Sequence, residues 1–131
     1  MKIAASTNNG GLDDTITPMF GRAPSFTVVE IKDGEIVAIE VIKNQAAVRG
    51  GGAGIAASQT LIDKKVEVLL TGNVGPNAIG VLNSANVKIY KADGLKVEEA
   101  IKKYLNGELE EITSPSQPMK SKGGMRGRWF Q

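Results

Sequence analysis

The chain has 131 residues, 41% of them hydrophobic, and a formal net charge of +2. That length sustains one core without staples, and no apolar run reaches the ~18 residues that a membrane helix needs. Cysteine and histidine are both absent, which removes disulfides, thiolate and imidazole metal sites, cysteine nucleophiles and serine–histidine chemistry together.

Charge is spread unevenly. Residues 1–118 hold 12 Lys and Arg against 14 Asp and Glu, whereas residues 119–131 add Lys120, Lys122, Arg126 and Arg128 with no acid. The pI near 8.9 is therefore made by the tail and not by a basic face of the domain. Met1-Lys2-Ile3 runs straight into a strand pattern rather than a leader peptide, and a cytoplasmic protein is expected.

In chain order, Lys2–Ser6 reads as a short apolar strand followed by the turn-rich Thr7-Asn8-Asn9-Gly10-Gly11. Phe26–Ile31 and Glu35–Ile42 flank Lys32-Asp33-Gly34, and Asp-Gly between β-rich runs predicts a hairpin. Gly50-Gly51-Gly52 then breaks the chain, and Ala53, Ala56, Ala57, Thr60 and Leu61 recur at helical spacing, predicting a first helix over 54–64. Val66–Leu70 is an apolar, β-branched strand that stops at Thr71-Gly72-Asn73. Pro76 opens a second helix to Ser84, because proline at the first helical position loses no hydrogen bond. Val87–Lys91 is a fifth strand. Asp93-Gly94 turns into a third helix over 96–106, with Val97, Ala100, Ile101, Tyr104 and Leu105 on one face and Gly107 as its stop.

The order β-β-β-α-β-α-β-α joins an antiparallel half to βαβ crossovers. It predicts a three-layer α/β/α domain with a mixed five-stranded sheet and ribonuclease-H-like topology over residues 1–107. Residues 108–131 read as a flexible tail, its end rich in Gly, Lys and Arg.

Two strand-to-helix or loop-to-helix junctions, at 50–54 and 72–77, are rich in Gly and Asn. Such junctions aim unpaired amides and a positive dipole end at one point, a seat for an anion. The second lies at the carboxyl end of a strand, where open α/β sheets bind ligands. Gly52-x-Gly54-x-x-Ala57 imitates a dinucleotide fingerprint, but its loop is long and no ribose-binding acid ends the next strand. No Gly-rich loop leads to Lys-Ser/Thr either, so a triphosphate P-loop is excluded.

With Ile16-Thr17-Pro18-Met19-Phe20-Gly21-Arg22-Ala23-Pro24, the glycine cluster and Thr71-Gly72-Asn73-Val74-Gly75-Pro76-Asn77-Ala78 in that order, the chain resembles the dinitrogenase iron–molybdenum cofactor biosynthesis family over about residues 1–105. The resemblance implies a ribonuclease-H-like fold and a role in carrying or processing the nitrogenase cofactor or its iron–sulfur precursors. Family members often place a His just before Phe-Gly-Arg and another beside the glycines. Met19 and Arg49 stand in those places here, and the Cys-bearing versions have no counterpart.

Clusters are held by thiolates and occasionally imidazoles, so any iron–sulfur or iron–molybdenum cluster would be held without Cys or His ligands, and no metal-ligating residue is assigned. The resemblance then implies recognition of an anionic metal–sulfur species or small oxyanion by Arg22, Arg49, Gly50, Gly51, Gly52, Gly54, Asn73, Gly75 and Asn77. Plainer roles exist for several: Arg22 paired with Asp13 or Asp14, Phe20 as a core anchor, Asn73 and Asn77 as caps.

A nuclease is not expected, since the first strand has no acid and the chain shows no cluster of carboxylates for two metals. We expect a non-catalytic binding protein, with a protein-interaction or regulatory module that has lost metal binding as the alternative. The 119–131 segment either grips a protein partner or serves as a solubilising extension. No membrane and no nucleic-acid partner is expected.

Overall fold

The computed structural model describes residues 1–48 and 52–113. Strand β1 spans Lys2–Thr7, β2 Ser25–Lys32 and β3 Glu35–Lys43, followed by a 3-10 turn over Gln45–Val48. Helix α1 spans Ala53–Asp63, β4 Val68–Thr71, α2 Pro76–Ser84, β5 Lys88–Lys91, α3 Val97–Leu105 and β6 Glu110–Glu111. The sheet order is β3-β2-β1-β4-β5-β6. β1, β4 and β5 run parallel, and β2 is antiparallel to β1. This is the ribonuclease-H-like arrangement expected from the element order.

Helices cover both faces. Ala57 and Leu61 of α1 and Ala78, Ile79 and Leu82 of α2 pack on Ala4, Phe26, Val28, Leu69 and Ile89. On the opposite face, Val97, Ala100 and Ile101 of α3 meet Ile3, Ala5, Val29, Val68 and Leu70. Alternate residues of one strand therefore feed different cores, as the two-residue strand period requires. Asp33 and Gly34 have φ of 55° and 80°, the left-handed pair of a two-residue hairpin turn.

The sheet has six strands, not five. Glu110–Glu111 falls within the segment expected as a tail, because two exposed acids carry no hydrophobic alternation. They pair antiparallel with Lys91 and Tyr90 of β5. The Ile112 amide donates to the Ile89 carbonyl at 2.7 Å, and the Ile112 side chain packs against the α1–α2 core. The anchor of this strand is thus the residue after it. Residues 114–131, including the basic stretch, lie outside the described residues.

The long excursion between β1 and β2 is organised by one carboxylate. Asp14 accepts from the amides of Asn8, Asn9 and Gly10 at 2.8, 2.7 and 2.8 Å through one oxygen. Its other oxygen accepts from Thr15 at 2.9 Å. Partial burial raises its pKa, but the four amide bonds from Gly10, Asn9, Asn8 and Thr15 outweigh it, and the net direction is downward. Beyond it, the Ile16 amide donates to Leu95 and the Thr17 amide to Ser6, which fixes where the next segment begins.

A carboxyl with a lowered folded pKa stabilises the fold above its unfolded value of about 3.9 and stops doing so as pH falls through the folded value. Asp14→Ala should therefore cost about 1 kcal/mol near neutral pH after solvent screening. The gap to the wild type should close as urea titrations are repeated at descending pH below about 4.

Candidate functional site

The segment 18–24 folds back across the β4–α2 junction. The Asn73 amide donates to the Pro18 carbonyl at 2.6 Å, and the Phe20 amide donates to the Asn73 carbonyl at 3.4 Å. Gly72 permits this approach: a Cβ there would lie 2.7 Å from Pro18 Cα and 2.9 Å from both the Pro18 carbonyl oxygen and Asp93 Cγ. Phe20 is a core anchor, 2% exposed, with its ring 5.4 Å from that of Phe26. From the other side, buried Asn44 donates through Nδ2 to the Gly21 and Ala23 carbonyls at 3.1 and 2.8 Å, while its Oδ1 accepts from Ala46. Arg22, between those carbonyls in sequence, is thereby held at the surface and donates to the Ala47 carbonyl at 3.0 Å.

Across from this segment stand the N-termini of α1 and α2. They pack so closely that a Cβ on Gly54 would touch Ala78 Cβ at 3.3 Å, while Gly21 lies against the Gly54 backbone. Both helices begin on glycine: Gly52, left-handed at φ 73°, and Gly75, extended at φ −75°, ψ 168°. Neither start has a side-chain cap hydrogen bond. Helix starts ordinarily use Ser, Thr, Asp or Asn to satisfy the orphan amides. Here the first-turn amides of Gly54 and Ile55, and of Asn77 and Ala78, have no side-chain acceptor among the described residues. The positive ends of two helix dipoles also point to the same place.

The resulting cleft has a volume of about 390 Å³ and is lined by residues 19–22, 52–55 and 73–78. Arg22 is the one charged residue among the described lining residues. Met19 and Ile55, 50% and 41% exposed, form apolar flanks. The site is therefore positive, shallowly open and free of carboxylate among its described lining residues. It suits a compact anion with both polar and apolar surface.

Of the residues expected at a ligand site, Arg22, Gly52, Gly54, Asn73, Gly75 and Asn77 all line this one cleft. The two glycine-rich junctions are neighbours. Arg49, Gly50 and Gly51 lie outside the described residues. Two roles differ in detail. The Asn73 amide is spent on Pro18, so this residue shapes the cleft through its backbone. Asn77 is the second helical residue of α2, after the Gly75 cap, and so is not the cap itself. Met19, Gly21, Ile55 and the clamp Asn44 are further site residues that the sequence pattern does not single out. Asn44 follows a strand with no pattern around it, whereas Met19 and Gly21 stand within the Pro18–Pro24 motif.

Gly72→Ala should destabilise the protein by about 1–3 kcal/mol through overpacking against backbone that cannot rotate away. A lowered urea midpoint with an unchanged slope would register this.

Residues 1–107 match the protein family described as dinitrogenase iron–molybdenum cofactor. An uncharacterized protein of Methanocaldococcus jannaschii is 35% identical over 112 residues, covering 86% of this chain and 92% of that protein. The apo form of the orange protein from Desulfovibrio gigas superposes with a TM-score of 0.82 at 36% identity, over 88% of this chain and 96% of that one. The NMR structure of a candidate NifB protein from Thermotoga gives 0.74 at 33% identity, over 88% and 97%. The family match spans the 18–24 loop and both glycine-started helices, and the chain belongs to the dinitrogenase iron–molybdenum cofactor family.

Proposed function

We propose that this protein is a small non-catalytic binding protein that carries or senses an anionic metal–sulfur cluster, cofactor precursor or oxyanion in the cleft between Arg22 and the starts of α1 and α2. The observation that carries this reading is the convergence of two glycine-started helix N-termini and one guanidinium on a cleft whose described lining holds no acid. Electrostatics and amide geometry there favour the same sign of ligand.

Ligation of a cluster by thiolate or imidazole does not fit, since the chain has no cysteine or histidine. Among the described residues no group of three or more acids could hold a metal ion either. Capture of the whole anion by amides, a guanidinium and apolar flanks does fit. That the orange protein similar to this chain is described in an apo form accords with this reading. The non-catalytic reading is supported by the described lining residues, which offer glycine, amide, apolar and guanidinium groups and no general base among them. Among the described residues no helix is long and apolar enough to cross a membrane, and a cytoplasmic setting accords with this role.

The test is anaerobic incubation with tetrathiomolybdate, and separately with iron, sulfide and molybdate, followed by desalting, metal analysis and an absorption spectrum. Retained metal with a charge-transfer band is expected, weakening as ionic strength rises. Arg22→Ala should weaken retention at least about tenfold, the scale of one charge-assisted hydrogen bond, with Arg22→Lys intermediate. Equal retention by Arg22→Ala would remove the site from this cleft. A metal-free protein under all these conditions would shift the weight to an interaction or regulatory module.

A further inference from the structure

The sequence holds two Asn-Gly pairs, Asn9-Gly10 and Asn106-Gly107, each with its asparagine exposed. In such a pair the glycine nitrogen, once it has lost its proton, can attack the asparagine Cγ, because no side chain on the glycine stands in the way. A Cγ–N bond forms, the side-chain nitrogen departs as ammonia with the proton the glycine gave up, and a cyclic imide remains. Water then opens the imide at either carbonyl carbon. One route gives aspartate, the other isoaspartate, in which the chain runs through Cγ. The net change is water taken up and ammonia released, with no oxidation or reduction. Two gates control the reaction: how freely the glycine nitrogen reaches Cγ, and how readily it sheds its proton.

Around Asn9 the structure closes both gates. The Gly10 amide donates to Asp14 Oδ2 at 2.8 Å, and the same oxygen takes the amides of Asn8 and Asn9. The Gly11 amide donates to Thr27 Oγ1 at 3.0 Å, and the Asn8 carbonyl accepts from Ser25 Oγ at 3.2 Å. Every amide from Asn8 to Gly11 is therefore spent. Gly10 is also hemmed in from its other side, where a Cβ would overlap the Val41 side chain. An N–H donated to a carboxylate gives up its proton less readily, since the anion left behind would face another negative charge. The second pair is held more lightly. The Gly107 amide donates to one neutral acceptor, the Tyr104 carbonyl at 3.0 Å, past the end of α3 where residues 105–108 are all exposed. We infer that Asn9-Gly10 is a latent deamidation site, held shut by the Asp14 carboxylate. Conversion there would set a new acid beside Asp14, or lengthen the backbone where Val41 leaves no room, and so loosen the loop that leads into the 18–24 segment.

The experiment is peptide mapping by mass spectrometry on the full chain, aged in warm, mildly alkaline buffer, with Asn9 and Asn106 scored in the same samples. Asp14→Ala should raise the rate of conversion at Asn9 about fivefold to tenfold, the scale on which loss of a charged hydrogen bond shifts a local opening. Hydrogen exchange at the Gly10 amide, followed by NMR, should quicken by a similar factor. Asn106 should convert at one rate in both proteins, and the circular dichroism spectrum should be unchanged. In urea, where Asp14 holds nothing, Asn9 should convert equally fast in the wild type and the variant. None of these readouts depends on ligand binding at the cleft. An Asn9 rate that Asp14→Ala leaves unchanged in the folded protein overturns the inference. A rise at Asn9 and Asn106 together overturns it equally, since that reports general loosening and not a local lock.

Discussion

Two backbone hydrogen bonds between residues some 55 positions apart hold the candidate site in shape. Asn73 gives its amide to Pro18 and takes the amide of Phe20, and Gly72 contributes by having no side chain where Pro18 passes. Without this crossing, the 18–24 segment would have no reason to lie on the β4–α2 junction, and Arg22 would project from an unanchored loop. Other interactions act on the same strap from its flanks: Asp14 collects the loop that leads into it, Phe20 pins its middle into the core, and Asn44 holds its exit. Little of this is hydrophobic burial. It is local satisfaction of backbone polar groups, which leaves the cleft open while keeping its walls fixed.

The economy of charge in the cleft follows from its helices. A Ser or Asp at either helix start would have strengthened the helix and filled the amides at once. Glycine leaves the amides available and gives up the cap. Stability is recovered below, where Ala57 and Leu61 of α1 and Ala78, Ile79 and Leu82 of α2 are buried against the sheet. Buried hydroxyls within the sheet pair with one another, Ser6 with Thr71 at 2.7 Å and Thr7 with Ser25 and Thr27 at 2.7 and 3.0 Å. Such pairs satisfy one another without fixing a charge, and Arg22 carries the one formal charge among the described lining residues of the cleft.

The parts of this protein that repeat a local rule were legible in the sequence. Pro76 marks the first residue of α2, Asp33-Gly34 makes the hairpin, and the strand and helix periods give the layers and the ribonuclease-H-like order. Six of the nine expected site residues line one cleft because glycine-rich junctions advertise themselves through what they lack. Contacts fixed only by topology were not legible. The adjacency of the two junctions depends on β1 lying between β2 and β4, which brings α1 against α2. Asn44 is one polar residue after a strand, and its value appears only when the carbonyls of Gly21 and Ala23 arrive from 20 or so residues earlier. β6 carries no pattern, since its anchor is the following isoleucine.

The unequal edges of the sheet also bear on how far assembly can proceed. A strand edge is a connector that accepts one neighbour. The β6 side, reduced to two residues carrying like charges, offers a second chain almost no backbone to pair with and a repulsion where it begins. On the other side, the bulge that sets β3 out of step with β2 between Glu30 and Ile31 interrupts the even row of outward backbone groups that a stacking strand needs. Each edge of the sheet thus resists open-ended strand addition by a different means, one by shortness and like charge, the other by a break in its spacing.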